Sequence, residues 1–111
     1  MRTFRLPDLG EGLQEAEVID VATIAPLDIG TILASVAKTG RCVIAHEAAG
    51  NVGVGAEIAA RIADRGLLTL LAPIKRVTGY DTVMPLARLE PAYLPTPERI
   101  VAAARETLEA A

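Results

Sequence analysis

Few residues in this chain have side chains able to do chemistry, and they cluster in three places. His46 and Glu47 stand together in IAHEA, at the end of an apolar run. A histidine and a carboxylate make an acid–base pair when both reach one proton. Adjacent residues on a strand point to opposite faces, so a strand here separates them and favours a structural role. Gly50, Gly53 and Gly55, in GNVGVG, precede a helical pattern. Backbone amides at a helix N-terminus can hold an anion. The spacing is neither G-x-G-x-x-G nor a phosphate loop with its Lys and Ser/Thr, which favours a plain turn. Tyr80 and Asp81 follow a strand-like segment, and Tyr93 lies beyond them. Tyrosine is amphipathic and suits an interface as well as surface packing. Cys42, the sole cysteine, sits in CVIA, where a buried inert thiol is expected.

The elements that must position these residues are legible from periodicity. Residues 3–6 form a short strand stopped by Pro7, and residues 7–12, PDLGEG, a turn. AEVIDV, residues 16–21, is a strand with β-branched Val18, Ile19 and Val21. Asp28 caps a helix whose inward face is Ile29, Ile32, Leu33 and Val36; Gly40 stops it. Residues 41–46 read as a strand buried on both faces. Residues 56–65 form a helix with Ile58 and Ile62 inward, followed by the apolar LLTLL; residues 74–78 form another strand. The stretch from Gly79 to Pro97 holds four prolines in its irregular part and is expected to wrap the surface without regular structure. Thr96 caps a last helix with Pro97 at its first position. Its buried stripe is Ile100, Val101, Ala104 and Leu108, and Glu98 and Arg99 form a solvated first turn. Strand–helix alternation of this kind predicts parallel crossovers and a three-layer α/β/α sandwich.

Composition narrows the function. The chain has 111 residues, enough for one domain with one modest core. Half its residues are hydrophobic, but it has one phenylalanine, two tyrosines and no tryptophan, so the core is aliphatic. A net charge of −3 argues against nucleic-acid or anionic-membrane binding. A single cysteine excludes an internal disulfide and points to a reducing, cytoplasmic setting. No signal peptide is visible, and no apolar run is long enough to span a membrane.

From Ala16 onward the chain resembles the C-terminal, transketolase-type domain of the beta subunit of 2-oxo acid dehydrogenases, the enzymes acting on pyruvate or branched-chain 2-oxo acids. The segments that carry the likeness are AEVIDVATIAPLDIGTILASVAKTGRCVIAHEA, GAEIAARIAD, APIKRVTGYDT and AYLPTPERIVAAARETL. Asp81-Thr82 matches the family's Asp-Thr, whereas Val83-Met84-Pro85 departs from its usual Pro-Val-Pro. Ala49-Gly50 and Gly53-Val54 stand where the family usually has Pro-Arg and a paired glycine with an aromatic. Residues 1–15, with FRLPDLGEG, resemble the start of the acyltransferase component's lipoyl domain. The reading is therefore a lipoyl-like strand and turn over residues 1–15 joined to a transketolase C-terminal-like domain over 16–111. A lipoyl carrier needs a lysine at a hairpin tip. Lys38 and Lys75 lie at a helix end and in a strand, so lipoate is not expected.

The resemblance carries further expectations. The family's domain has a core strand and a helix before AEVID, and both are missing here. The connection from Leu6 to Ala16 is too short for a parallel crossover, so residues 3–6 pair with AEVID as an antiparallel hairpin. The expected sheet is mostly parallel, of about four strands, with AEVID and CVIAH closing the gap; the alternative is a gap filled by a second chain. The family's enzymes place thiamine diphosphate and Mg between the alpha subunit and the beta subunit's N-terminal domain. The Gly-Asp-Gly metal motif is absent, so this chain alone is expected to bind neither group and to be inactive. The expected function is a non-catalytic assembly domain, homo-oligomeric and associated with subunits of a 2-oxo acid dehydrogenase complex. The alternative is an independent phosphate-ligand protein using His46, Glu47 and the 50–55 turn.

Overall fold

The computed structural model describes residues 2–5, 15–83 and 85–110; the turn expected over residues 7–12 lies outside them. β1 (Arg2–Arg5) pairs antiparallel with β2 (Glu15–Val18), Thr3 opposite Glu17. This is the hairpin that a short connection requires. α1 (Ile29–Thr39) starts at Asp28, whose carboxylate accepts the Thr31 backbone N–H at 3.1 Å. It ends at Gly40, at φ 75, a left-handed position that glycine takes without steric cost. β3 (Val43–Ala49) runs parallel to β4 (Lys75–Gly79), with Val43 opposite Lys75 and Ala45 opposite Val77. Between them lie α2 (Val54–Gly66) and a 3-10 turn over Leu67–Thr69. α3 (Glu90–Tyr93) is a single turn. α4 (Pro97–Glu109) is capped by the Thr96 hydroxyl, which accepts the Arg99 N–H at 3.2 Å.

Strand alternation sorts the helices into layers. Residues paired across β3 and β4 share a face. Ile44 and His46 approach α2 at Gly55, whereas Lys75, on the other face, ion-pairs with Glu106 of α4 at 3.1 Å. The small parallel sheet is thus sandwiched between α2 and α4. The core is aliphatic, as the composition dictates. Ile32 and Val36 of α1 meet Ile58 and Ile62 of α2, with Leu33, Ile44 and Ile74 packed against them.

The strands differ most from expectation in how they assemble. They form two separate two-stranded sheets, β1–β2 and β3–β4, and β2 does not close onto β3. β2 is held instead by polar side chains. Glu17 accepts hydrogen bonds from Ser35 Oγ at 2.6 Å and from Lys38 Nζ, both on α1. Three smaller departures have local causes. β3 runs on to Ala49, past the expected end at residue 46, because its ladder with β4 extends to Ala49 opposite Gly79. The proline-rich stretch contains the α3 turn, since Pro91 sits in its first turn, where a missing N–H costs nothing. On α4 the buried residues are Ala103 and Thr107; Ile100 is exposed, and Val101, Ala104 and Leu108 are half-buried along a groove.

The Glu17 contacts make the seat of β2 sensitive to pH. The hydrogen bond from Lys38, and next that from Ser35, hold the Glu17 carboxyl below its ordinary value of 4.5. A carboxyl depressed in the folded state stabilises it above the unfolded pKa and loses that effect as pH falls through the folded one. Glu17→Gln is therefore expected to be less stable than the parent at neutral pH, with the gap closing below the ordinary carboxylate range. Urea melts of both chains from pH 7 downward would show it; a gap independent of pH would refute the assignment.

Candidate functional site

In a parallel sheet the carboxyl ends of the strands lie together, and the loops that leave them form one surface. Here that surface is built by the 50–53 turn after β3, the segment after β4, and α3. The backbone N–H of Asn51 donates to Asp81 Oδ1 at 3.0 Å, tying the two loops. Arg76 of β4 donates to the Gly50 carbonyl at 2.7 Å and fixes the same turn from below. The left-handed residue of this turn is Val52, at φ 58 and fully exposed, and not one of its glycines.

The glycines serve close approach. A Cβ on Gly55 would lie 2.5 Å from His46 Nε2, and one on Gly53 3.3 Å from the same atom. The imidazole therefore lies directly against the start of α2, in the space side chains would fill. His46 Nδ1 bonds the Ala48 carbonyl at 3.0 Å, and Nε2 is buried without a partner among the described residues. So His46, Gly53 and Gly55, two separate readings in the sequence, form one packed unit. Glu47 points the other way and is exposed, as alternation predicts.

A second unit forms around Gly79. Its Cα hydrogen faces the Glu47 carbonyl and the ring of Tyr93: a Cβ there would lie 2.3 Å from that oxygen and 2.6 Å from the ring. Tyr93 is buried and meets Tyr80 edge-to-face at 6.4 Å between centroids. Arg99 completes the stack, its guanidinium 5.2 Å from the Tyr80 ring centroid. It also donates to the Thr78 carbonyl at 2.8 Å and to the Leu94 carbonyl at 3.3 Å. Arg99 was expected in a solvated first turn. The structure makes it a half-buried clamp between β4, α3 and α4, because Thr96 caps α4 beside the end of β4. Its planar fork of donors reaches one carbonyl of β4 and one at the end of α3, contacts that need the tertiary fold to be seen.

The seven candidate residues thus gather at one edge. His46, Gly53 and Gly55 lie on the α2 side; Tyr80, Asp81 and Tyr93 follow β4; the Glu47 carbonyl lies against Gly79 at the end of β4. Their polar groups are largely engaged within the chain. The segment after β4 also leaves apolar side chains to solvent beside the exposed Asp81, Thr82 and Arg88: Tyr80 is 54% exposed, Val83 86% and Leu86 88%. Among the described residues no group of three His, Cys, Asp or Glu is placed to hold a metal ion. Cys42 is free and partly buried, and burial pushes its thiol up, away from the reactive thiolate. No helix among the described residues is long and apolar enough to cross a membrane.

Comparison with known proteins shows the family. The family described as transketolase, C-terminal domain, matches residues 8–100. The match begins inside the stretch whose letters resemble a lipoyl domain, so the family likeness reaches further toward the N-terminus than residue 16. A pyruvate dehydrogenase E1 component subunit beta from Staphylococcus epidermidis is 48% identical over 93 residues, 84% of this chain and 29% of that protein. The protein of the same description from Staphylococcus aureus is 47% identical over the same length and shares. The chain spans less than a third of the length of these relatives.

Proposed function

The chain belongs to the transketolase C-terminal domain family, and from that premise we propose that it is a non-catalytic assembly domain related to the beta subunit of a 2-oxo acid dehydrogenase complex. The carrying observation is the carboxyl edge. Its polar groups, Asp81, His46 Nδ1 and the Arg99 guanidinium, are engaged inside the chain, while Tyr80, Val83 and Leu86 are left to solvent. A catalytic site keeps polar groups free for substrate; an assembly surface presents apolar and aromatic ones. On this reading the chain works in the cytoplasm, needs no thiamine diphosphate, metal or lipoate of its own, and associates with its own copies and with complex subunits. The division at residue 16, with a lipoyl-like segment before it, is part of the same proposal.

The test is a calorimetric titration of the chain with the subunit-binding domain of a 2-oxo acid dehydrogenase acyltransferase. Saturable binding is expected, weakened about tenfold or more by Tyr80→Ala, the range of a central aromatic contact. A cooperatively folded chain that shows no heat and no complex by sedimentation would sink the reading.

A further inference from the structure

Between the two sheets lies a groove of about 800 Å³. It meets consecutive residues on both flanking strands, 16–19 on the β2 side and 43–45 on β3. Side chains alternate faces along a strand, so a cavity that meets consecutive residues runs along strand edges and not over one face. Among the described residues both edges are free: β2 is laddered only to β1 and β3 only to β4, and no other backbone bond reaches them on this side. The phase of β3 is fixed by the Cys42 carbonyl, which accepts the Lys75 N–H of β4 at 3.1 Å. In extended backbone the N–H and C=O of one residue point to one side and those of the next to the other. Val43 and Ala45 therefore aim their backbone groups into the groove.

The remaining walls are helical and mainly apolar, with Ser35, Lys38, Thr39 and Thr107 also lining the groove. Ile32, Val36 and Ile58 stand on one side, and Val101, Ala104 and Leu108 of α4 on the other. A five-residue strand with a layer on each face takes about 16 Å by 4.8 Å by 10 Å, or about 800 Å³. We propose that the groove accepts an extended aliphatic peptide, supplied by another polypeptide and inserted as a strand against β3. Its backbone would meet the groups of Val43 and Ala45. Its side chains would fall alternately on α1–α2 and on α4, so both faces of the peptide must be apolar, as in any strand covered on both sides. The slot is one strand thick between helices. The β3–β4 sheet of a second folded copy, which carries α2 and α4 on its faces, is too thick to enter. The inference is independent of the assembly reading and shares no residue with the carboxyl edge.

The probe is a synthetic peptide of five consecutive valine and isoleucine residues between lysine pairs, added to the full chain. Saturable one-to-one binding is expected, with amide exchange at Val43 and Ala45 slowed about tenfold or more. The amides of Ile44 and His46, which already face β4, should not change. The same peptide with proline at its centre should bind at least about tenfold more weakly, because proline cannot donate to a ladder. Ala45→Pro in the chain should weaken binding likewise; where that variant does not fold, the two peptides alone decide. Equal binding of the proline peptide, protection elsewhere than at Val43 and Ala45, or a dimer that protects both amides without peptide would each overturn the proposal.

Discussion

Replacing Gly79 with alanine lowers the stability of the chain by about 3 kcal/mol, the upper end for an overpacked site. The added methyl would stand 2.3 Å from the Glu47 carbonyl oxygen and 2.6 Å from the Tyr93 ring. Neither can yield cheaply. The oxygen belongs to the backbone of β3, and Tyr93 is buried with Tyr80 packed on its edge. Accommodating the methyl therefore parts β4 from β3 or expels Tyr93, and either movement unseats Arg99 from the Thr78 carbonyl. Against a total of about 5–15 kcal/mol for a domain, the loss shows plainly in a urea melt. Gly55→Ala is the informative comparison: its methyl meets only the His46 side chain and nearby side-chain atoms, which can rotate away. A Gly79→Ala chain as stable as its parent would mean that the β3–β4 spacing is looser than described.

Ile62→Ala costs about 4 kcal/mol, within the range for emptying a buried aliphatic site. Ile62 is the one large side chain wholly shielded from solvent among the described residues, at 0% exposure. It sits where α1, α2 and Gly66 converge, with its Cγ2 3.9 Å from the position of a Gly66 Cβ. Few side chains near it can collapse into the space left, since the cluster has only four buried members among the described residues. For a chain of this size the midpoint of thermal unfolding should fall by about 15 °C or more. Leu68→Ala supplies the contrast. Leu68 is 98% exposed, and its truncation should stay within about 0.5 kcal/mol of the parent. Similar losses at the two positions would contradict the packing.

Local signals in the sequence translated faithfully into structure. Asp28, Gly40, Thr96 and Pro97 mark helix ends because caps are settled by side chains within one turn of the backbone they satisfy. Ile32, Val36, Ile58 and Ile62 were readable as core because a helix projects them on one face at a fixed period. Pairing between distant strands carries no such local signal. The letters of β2 and β3 fit a closed sheet as well as two sheets with a groove between them; in the structure β2 is seated by Glu17 on Ser35 and Lys38 instead. At the candidate site, His46 and the glycine turn were each visible, but their contact was not. A strand that turns into a helix returns the helix start to the strand end, so their spacing held the hint. Arg99 was hidden because its partners, Thr78 and Tyr80, lie about twenty residues away in sequence.

The separation of the sheets also has a consequence for the order in which the chain folds. β3, α2 and β4 are contiguous, from residue 43 to 79, and their ladder closes a loop of one helix. Short loops close with the least entropic cost and form early. The β1–β2 hairpin shares no ladder with that unit and, as an isolated pair of strands, is marginal by itself. It is secured afterwards, when α1 offers Ser35 and Lys38 to Glu17. On this topology the hairpin is expected to join last and to be the first part to leave.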